Sequence, residues 1–340
     1  MKQYAVYCLL VFCLLATSTF SIPRRDEAAI SVSSHEVIHS TTSVETLYFG
    51  EIPLTGFQPE TFAYNPANNT LHLIEKKKRI YTIRTLQADN SFSPVKNWWK
   101  LSSHSHLDNF VYNSTGGLYA CLKSNRSKGA VKQALVFLTK KNRMKKISLQ
   151  KINQVPATGP DAARKKKGGS TRHRIQDIKF SGTALALTYH NRAVKFYNIV
   201  EGQALGASRI TGIPNRNSFY NYQYLSVSPK ANKTGGQLTR YDIRTGEISG
   251  TVSFGDTKNT NKPFYLTNYR EQLYLLSDDG LFFGTQEDET LKKAADISEL
   301  PMSATSQIRF FAAARDDTLY FSCLDDSGRI HLYCLNNALI

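Results

Sequence analysis

The sequence predicts an all-β chain folded as a six-bladed β-propeller, and three observations carry that expectation. Short alternating segments rich in Val, Ile, Leu, Tyr and Phe recur between clusters of Gly, Asn, Asp and Ser, the strand-and-turn signature. They recur in units. With Leu71, Leu118, Leu185, Tyr224, Leu273 and Leu319 as anchors, the spacings are 47, 67, 39, 49 and 46 residues, the range of a four-stranded blade. The last unit shows only three strands, while "SVETLYFGEI" at 43–52 reads as a strand with no local partner. Supplying that strand to the last unit closes the ring and removes an exposed sheet edge. The units lack the Gly-His and Trp-Asp pattern of WD40 repeats and the kelch double glycine, so seven blades or two β domains are alternatives.

The elements follow in order. Met1, Lys2 and Gln3 precede an apolar run, Tyr4 to Ala16, and then small residues to Ser21. This is the layout of a secretory leader over 1–21, and it is shorter than the roughly 20 apolar residues that span a bilayer. Residues 22–42 form an extension, and 43–340 form the propeller. The units cover 68–86, 117–149, 178–202, 220–250, 262–286 and 307–335. The long spacing contains "NQVPATGPDAARKKKGGSTRHR" at 153–174, with Pro, Gly and no apolar periodicity, which reads as an insertion loop.

Cys8 and Cys13 leave with the leader, so the mature chain keeps Cys121, Cys323 and Cys334. An odd count leaves one thiol over. Cys323 and Cys334 flank "DDSGR" in a hairpin and are paired as a disulfide, and Cys121 is read as a buried thiol. Four Asn-x-Ser/Thr triplets, at Asn68, Asn113, Asn125 and Asn232, are candidate glycan positions and hence surface turns.

The formal net charge is +16, and it is concentrated. Between Lys123 and Lys179 stand 17 Lys and Arg against two acids, Asp161 and Asp177, leaving the remainder nearly balanced. Such asymmetry points to a polyanionic partner. The candidate contacts are Lys140, Lys141, Arg143, Lys145, Lys146, Arg164, Lys165, Lys166, Lys167, Arg172 and Arg174, and "EKKKR" at 75–79 adds a smaller cluster. A solvated loop and proteolytic trimming are the competing readings. The tetrad "RKKK" lacks the terminal arginine of a furin site.

No G-x-S-x-G elbow or phosphate-binding glycine loop occurs in the sequence, and the chain reads as a non-enzyme without a cofactor. His104, His106 and Asp108 would share one face of a strand, which leaves a metal-dependent enzyme as a minor reading. The aromatic run "NSFYNYQY" at 217–224 is core packing by default. Rings lining the axial channel would instead make the protein an amine or lipid carrier. In its six-unit count alone the chain is similar to insect propellers of the yellow and royal-jelly type, and that likeness implies amine binding.

The leader "KQYAVYCLLVFCLLATSTFS" and the tracts "KKNRMKK" and "RKKKGGSTRHR" make the chain resemble basic salivary or venom proteins of blood-feeding arthropods. The resemblance implies capture of host polyanions, with an anticoagulant or host-defence effect. The expected protein is therefore secreted, glycosylated and monomeric. Its partners would be sulfated glycosaminoglycan, polyphosphate, an anionic surface or an acidic host factor. Neither genomic DNA nor a membrane span belongs to this reading.

Overall fold

In the segment Ala184–Tyr189, five consecutive residues are buried. Period-two alternation sends Leu185 and Leu187 to one side and Ala184 and Ala186 to the other. The leucines pack with Tyr119, Leu135 and Ile178; the alanines pack with Phe196, Phe219 and Tyr224. A strand buried on both faces belongs to a sheet standing between two others, and this arrangement repeats around the chain.

The computed structural model describes residues 43–49, 57–89, 91–125, 131–152, 174–210, 217–220, 222–229, 236–254, 265–269, 272–277, 280–285, 288, 290–296, 307–314, 318–324 and 330–336. All lie in the unit Ser40–Ile340. The leader, the extension at 22–42 and residues 153–173 of the insertion lie outside them. Among the described residues there are 24 strands and no helix, so no helix there is long and apolar enough to cross a membrane.

The N-terminal strand is β1 (Ser43–Phe49). Blade one is β2 (Gln58–Asn65), β3 (Thr70–Lys77), β4 (Ile80–Thr85) and β5 (Asn97–Lys100). Blade two is β6 (Ser105–Tyr112), β7 (Leu118–Asn125), β8 (Val131–Leu138) and β9 (Met144–Lys146). Blade three is β10 (Ile175–Ser181), β11 (Ala184–Tyr189), β12 (Ala193–Asn198) and β13 (Gln203–Arg209). Blade four is β14 (Asn217–Tyr220), β15 (Gln223–Pro229), β16 (Gly236–Asp242) and β17 (Ile248–Phe254). Blade five is β18 (Tyr265–Tyr269), β19 (Gln272–Ser277), β20 (Gly280–Gly284) and β21 (Thr290–Asp296). Blade six has β22 (Gln307–Ala313), β23 (Leu319–Leu324) and β24 (Ile330–Asn336) from the C-terminal end. β1 runs antiparallel beside β24, with Val44 opposite Leu335 and Phe49 opposite His331. A short parallel pairing of Ser253 and Phe254 with Thr290 and Leu291 joins the outer strands of blades four and five.

The first strands neighbour one another in a closed circuit, β2 to β6, β10, β14, β18, β22 and back to β2. Between consecutive blades lies an apolar cluster. Ile74, Tyr81 and Leu118 sit between blades one and two, Leu225, Leu273 and Phe282 between four and five, and Leu276, Leu281 and Phe321 between five and six. Phe62, Leu73 and Leu332 fill the junction of six with one. Six blades are thus held by burial between sheets, the dominant favourable term in folding. All six sequence anchors fall at the first or second residue of a second strand. The 67-residue spacing arises from the chain between β9 and β10.

The expected Cys323–Cys334 bridge is corrected. Cys323 stands opposite His331, and Cys334 stands opposite Tyr320. The two are therefore offset by three register positions, which puts them on opposite faces of the sheet. Geometry for S–S bonding requires facing Cβ vectors and Cα atoms within about 7 Å, and no disulfide joins the pair. Flanking a turn in sequence did not reveal this odd offset. Cys121 is buried and unbridged. Burial, with a smaller contribution from Asp108, pushes its thiol up to about 12.

Candidate functional site

Alternating strand directions give the ring two faces. The turn after each first strand and the turn after each third strand open on one, here the lower face. The turn after each second strand and the crossing to the next blade open on the other, the upper face.

This topology divides the candidate contacts. Lys140, Lys141 and Arg143 occupy the β8–β9 turn, on the lower face, with Lys145 and Lys146 following on the outermost strand; all five are exposed. Thr139 accepts the Arg143 N–H at its hydroxyl, 3.1 Å. Asn142, at φ 59°, accepts the Trp98 N–H at 3.2 Å, so the turn is braced against β5 of blade one. The chain enters β10 on the upper face, where Arg174 is half-buried and its carbonyl accepts the His190 N–H at 2.8 Å. Arg164, Lys165, Lys166, Lys167 and Arg172 lie outside the described residues. The basic turn and the entry of the insertion into β10 therefore belong to opposite faces.

The upper face of blades one to three collects further cations. Lys77, Lys78 and Arg79 are exposed at the β3–β4 turn, Lys100 ends β5, Lys132 opens β8, and Arg192 is exposed in the β11–β12 turn. Lys78 and Arg192 hold φ of 54° and 64°, the left-handed region where Gly and Asn cost least. Acids nearby are tied to lysines. Glu60 pairs with Lys76 at 3.2 Å, Asp108 with Lys123, and Asp177 with Lys179 at 3.8 Å. The sequence reading noted 75–79 but kept those residues out of the site, and it passed over Lys100, Lys132 and Arg192. Single residues scattered over three blades give no run to notice.

Asp177, on β10, is 8 % exposed. Desolvation pushes its carboxyl up to about 6, against the pull of Lys179. Its Oδ1 accepts the Ile178 N–H at 2.9 Å, whereas Oδ2 has no hydrogen-bond partner. Opposite it in the ladder, Thr188 shares a 2.6 Å hydrogen bond with the Tyr224 hydroxyl of blade four.

The metal reading fails on geometry. His104 lies in the turn before β6, and Asp108 on that strand is engaged by Lys123. Among the described residues no group of three His, Cys, Asp or Glu is placed to hold a metal ion. A pattern the reading missed, "HEVIH" at 35–39, has the spacing that on a helix sets two histidines for zinc; it lies outside the described residues. The aromatic run packs between blades. Phe219 and Tyr224 meet Phe196 edge-on, with ring centroids 6.5 and 5.3 Å away, and Tyr220 joins the core between blades four and five. Only Tyr222 among its four rings is exposed.

The candidate glycan positions separate too. Asn68 is exposed in the β2–β3 turn. Asn113 is corrected: it is 8 % exposed, and its side-chain oxygen accepts the Gly117 N–H at 2.7 Å and the Thr115 hydroxyl at 3.0 Å. The triplet marks a turn there because the asparagine builds it through its side-chain oxygen, and the residue is buried rather than on the surface. The side chain of Asn125 and the whole of Asn232 lie outside the described residues.

No family model and no curated protein sequence matches the chain. Among solved structures, the soluble aldose sugar dehydrogenase of Escherichia coli in its apo form is similar over 87 % of this chain and 99 % of that one, with 12 % identity and a TM-score of 0.50. A chain of the mitotic checkpoint complex is similar over 94 % of this chain and 98 % of its own length, with 10 % identity and a TM-score of 0.50. The WD40 domain of Toxoplasma gondii coronin is similar over 87 % and 86 %, with 10 % identity and a TM-score of 0.49. At such identities the likeness is one of fold.

Proposed function

We propose that this propeller is a secreted, monomeric, non-enzymatic binding protein that captures polyanions of the extracellular space. Sulfated glycosaminoglycan is the leading partner, and interference with haemostasis or host defence is the outcome. One observation carries the reading: the upper turns of blades one and three place at left-handed positions Lys78, which stands between the exposed Lys77 and Arg79, and the exposed Arg192. Backbone strain concentrates at functional sites, and clustered Lys and Arg release the counterions condensed on a polyanion. The insertion with Arg164, Lys165, Lys166, Lys167 and Arg172 adds further positive charge in the sequence between β9 and β10.

The test is elution from immobilised heparin, comparing wild type with a variant carrying Ser at Lys77, Lys78, Arg79, Arg164, Lys165, Lys166, Lys167 and Arg192. Wild type should elute well above 0.15 M salt, and the variant at markedly lower salt, since each lost phosphate or sulfate contact flattens the salt dependence by roughly one unit of slope. Passage of wild type near 0.15 M salt, where the Debye length is about 8 Å, would reduce the basic tracts to solvated surface.

A further inference from the structure

We infer that the protein is a two-faced cross-linker that holds two linear sulfated chains at once, one on each side of the ring. This inference rests on the polyanion reading and adds stoichiometry and geometry to it. The lower site is the β8–β9 turn with its strand: Lys140, Lys141, Arg143, Lys145 and Lys146, all exposed. The upper site is the crest of blades one to three, including Lys78, Arg79, Lys132 and Arg192.

The separation follows from the strands. β7 and β8 are eight residues each, so the blade stands roughly 26 Å tall at about 3.3 Å per residue. From Lys140 and Arg143 in the turn that is about three Debye lengths at physiological salt, about 8 Å each, and from Lys146, which pairs with Val136 inside β8, it is about two, so coupling between the sites is largely screened. A stiff chain lying on one face cannot also lie on the other. The lower turn is also built to stay in place. Asn142 is held to the Trp98 backbone, and Trp99 donates from its indole N–H to the Thr139 carbonyl at 3.3 Å. Met144, between the two basic pairs, is anchored in the core between blades one and two. Lysines on an edge strand also discourage edge-to-edge pairing; that role explains Lys145 and Lys146 but not the three cations of the turn.

The experiment uses the whole mature protein and two heparin probes, a tetrasaccharide too short to pass round the rim and a long chain. Calorimetry with the tetrasaccharide should give two sites on wild type. Static light scattering with the long chain should rise to a maximum near equivalence and fall with excess, the mark of bridging. A variant with Ser at Lys140, Lys141, Arg143, Lys145 and Lys146 should keep one site and lose the scattering maximum. A variant with Ser at Lys77, Lys78, Arg79 and Arg192, all exposed on the upper turns, should do the same. Equal thermal midpoints for all three proteins exclude unfolding as the cause. One site on wild type, or scattering that persists in either variant, would overturn the inference while leaving polyanion capture standing. No binding of either probe by wild type would overturn both.

Discussion

The two faces of this ring spend their turn residues differently. On the lower face, left-handed positions fall to Asn69, Asn142, Gly116, Gly182, Gly202 and Gly246, with Tyr222 the exception. Its side chains build the turns: Asn65 accepts the Ala67 N–H, Asn113 the Gly117 N–H, and Asp242 the N–H groups of Arg244 and Thr245. On the upper face of blades one and three, the left-handed positions carry Lys78 and Arg192. The first choice minimises backbone cost. The second accepts that cost and presents charge. The upper turn of blade three is also built by a side chain, since Asn191 accepts the Ala193 N–H at 3.1 Å next to Arg192, so the contrast lies in which residue takes the left-handed position. The β8–β9 turn joins the two habits, with an asparagine at the strained position and cations around it.

The largest expected effect comes from a change that treats both faces alike. We propose that β1 closes the ring as the outer strand of blade six. Deleting residues 43–49 should then leave the β24 edge open and lower the thermal midpoint by 10 °C or more, on the order of several kcal/mol for a lost strand. An unchanged midpoint would show that the strand is dispensable and that packing of blade six on blade one suffices.

A lower-face change comes next. Gly246 has φ 75°, and a Cβ there would lie 2.0 Å from the Ala207 carbonyl oxygen of blade three. Gly246→Ala should destabilise by about 3 kcal/mol or more through this backbone clash, read as a falling urea midpoint. A loss below 1 kcal/mol would mean that this face tolerates substitution as freely as the other, and the contrast would collapse.

Asp177, on the upper half of blade three, offers a pH test. Its folded carboxyl titrates at about 6 against an ordinary 3.8, so the folded state binds more protons than the unfolded state between those values. Stability therefore falls as pH rises from about 4 to 6 and stays lower above that. Asp177→Asn keeps an acceptor for the Ile178 N–H and removes the charge. Its midpoint should exceed wild type by about 2–6 °C at pH 7.5, with the gap closing near pH 4. A variant equally unstable at both values would show that the carboxylate contributes by contact rather than charge.

The smallest effect on stability sharpens the comparison most. Lys78→Gly and Arg192→Gly relieve left-handed strain at a gain or loss within about 1 kcal/mol. Yet each should lower the salt needed to elute the protein from heparin. Cations kept for function predict that split between stability and binding; unaltered elution would assign them to solubility alone.

Much of the fold was legible because blade packing writes a dense local signal. Leu185 and Leu273 announce second strands, since a strand buried on both sides reads as a largely apolar run, and Leu71 does so by the turn before it, because β3 carries His72 and Glu75 among its apolar residues. The segment at 43–52 and the three-stranded last unit are the sequence features behind the proposed closure by β1. The site was less legible. The run at 164–167 is obvious in sequence, whereas Lys100, Lys132 and Arg192 are single residues whose common face depends on strand direction. The disulfide reading failed for the same reason, because two cysteines across a turn give no register. Asn113 proved buried rather than at the surface because one triplet describes both a glycan acceptor and a turn-building asparagine.

What the sequence determined by itself was the β class, the number of repeating units and the concentration of charge, all local or additive properties of composition and period. What only the tertiary structure decided was which residues share a surface. Strand direction reverses at every turn, so residues a few positions apart, such as Lys132 and Lys140, emerge on opposite faces. Residues more than a hundred positions apart, such as Lys78 and Arg192, emerge on the same one.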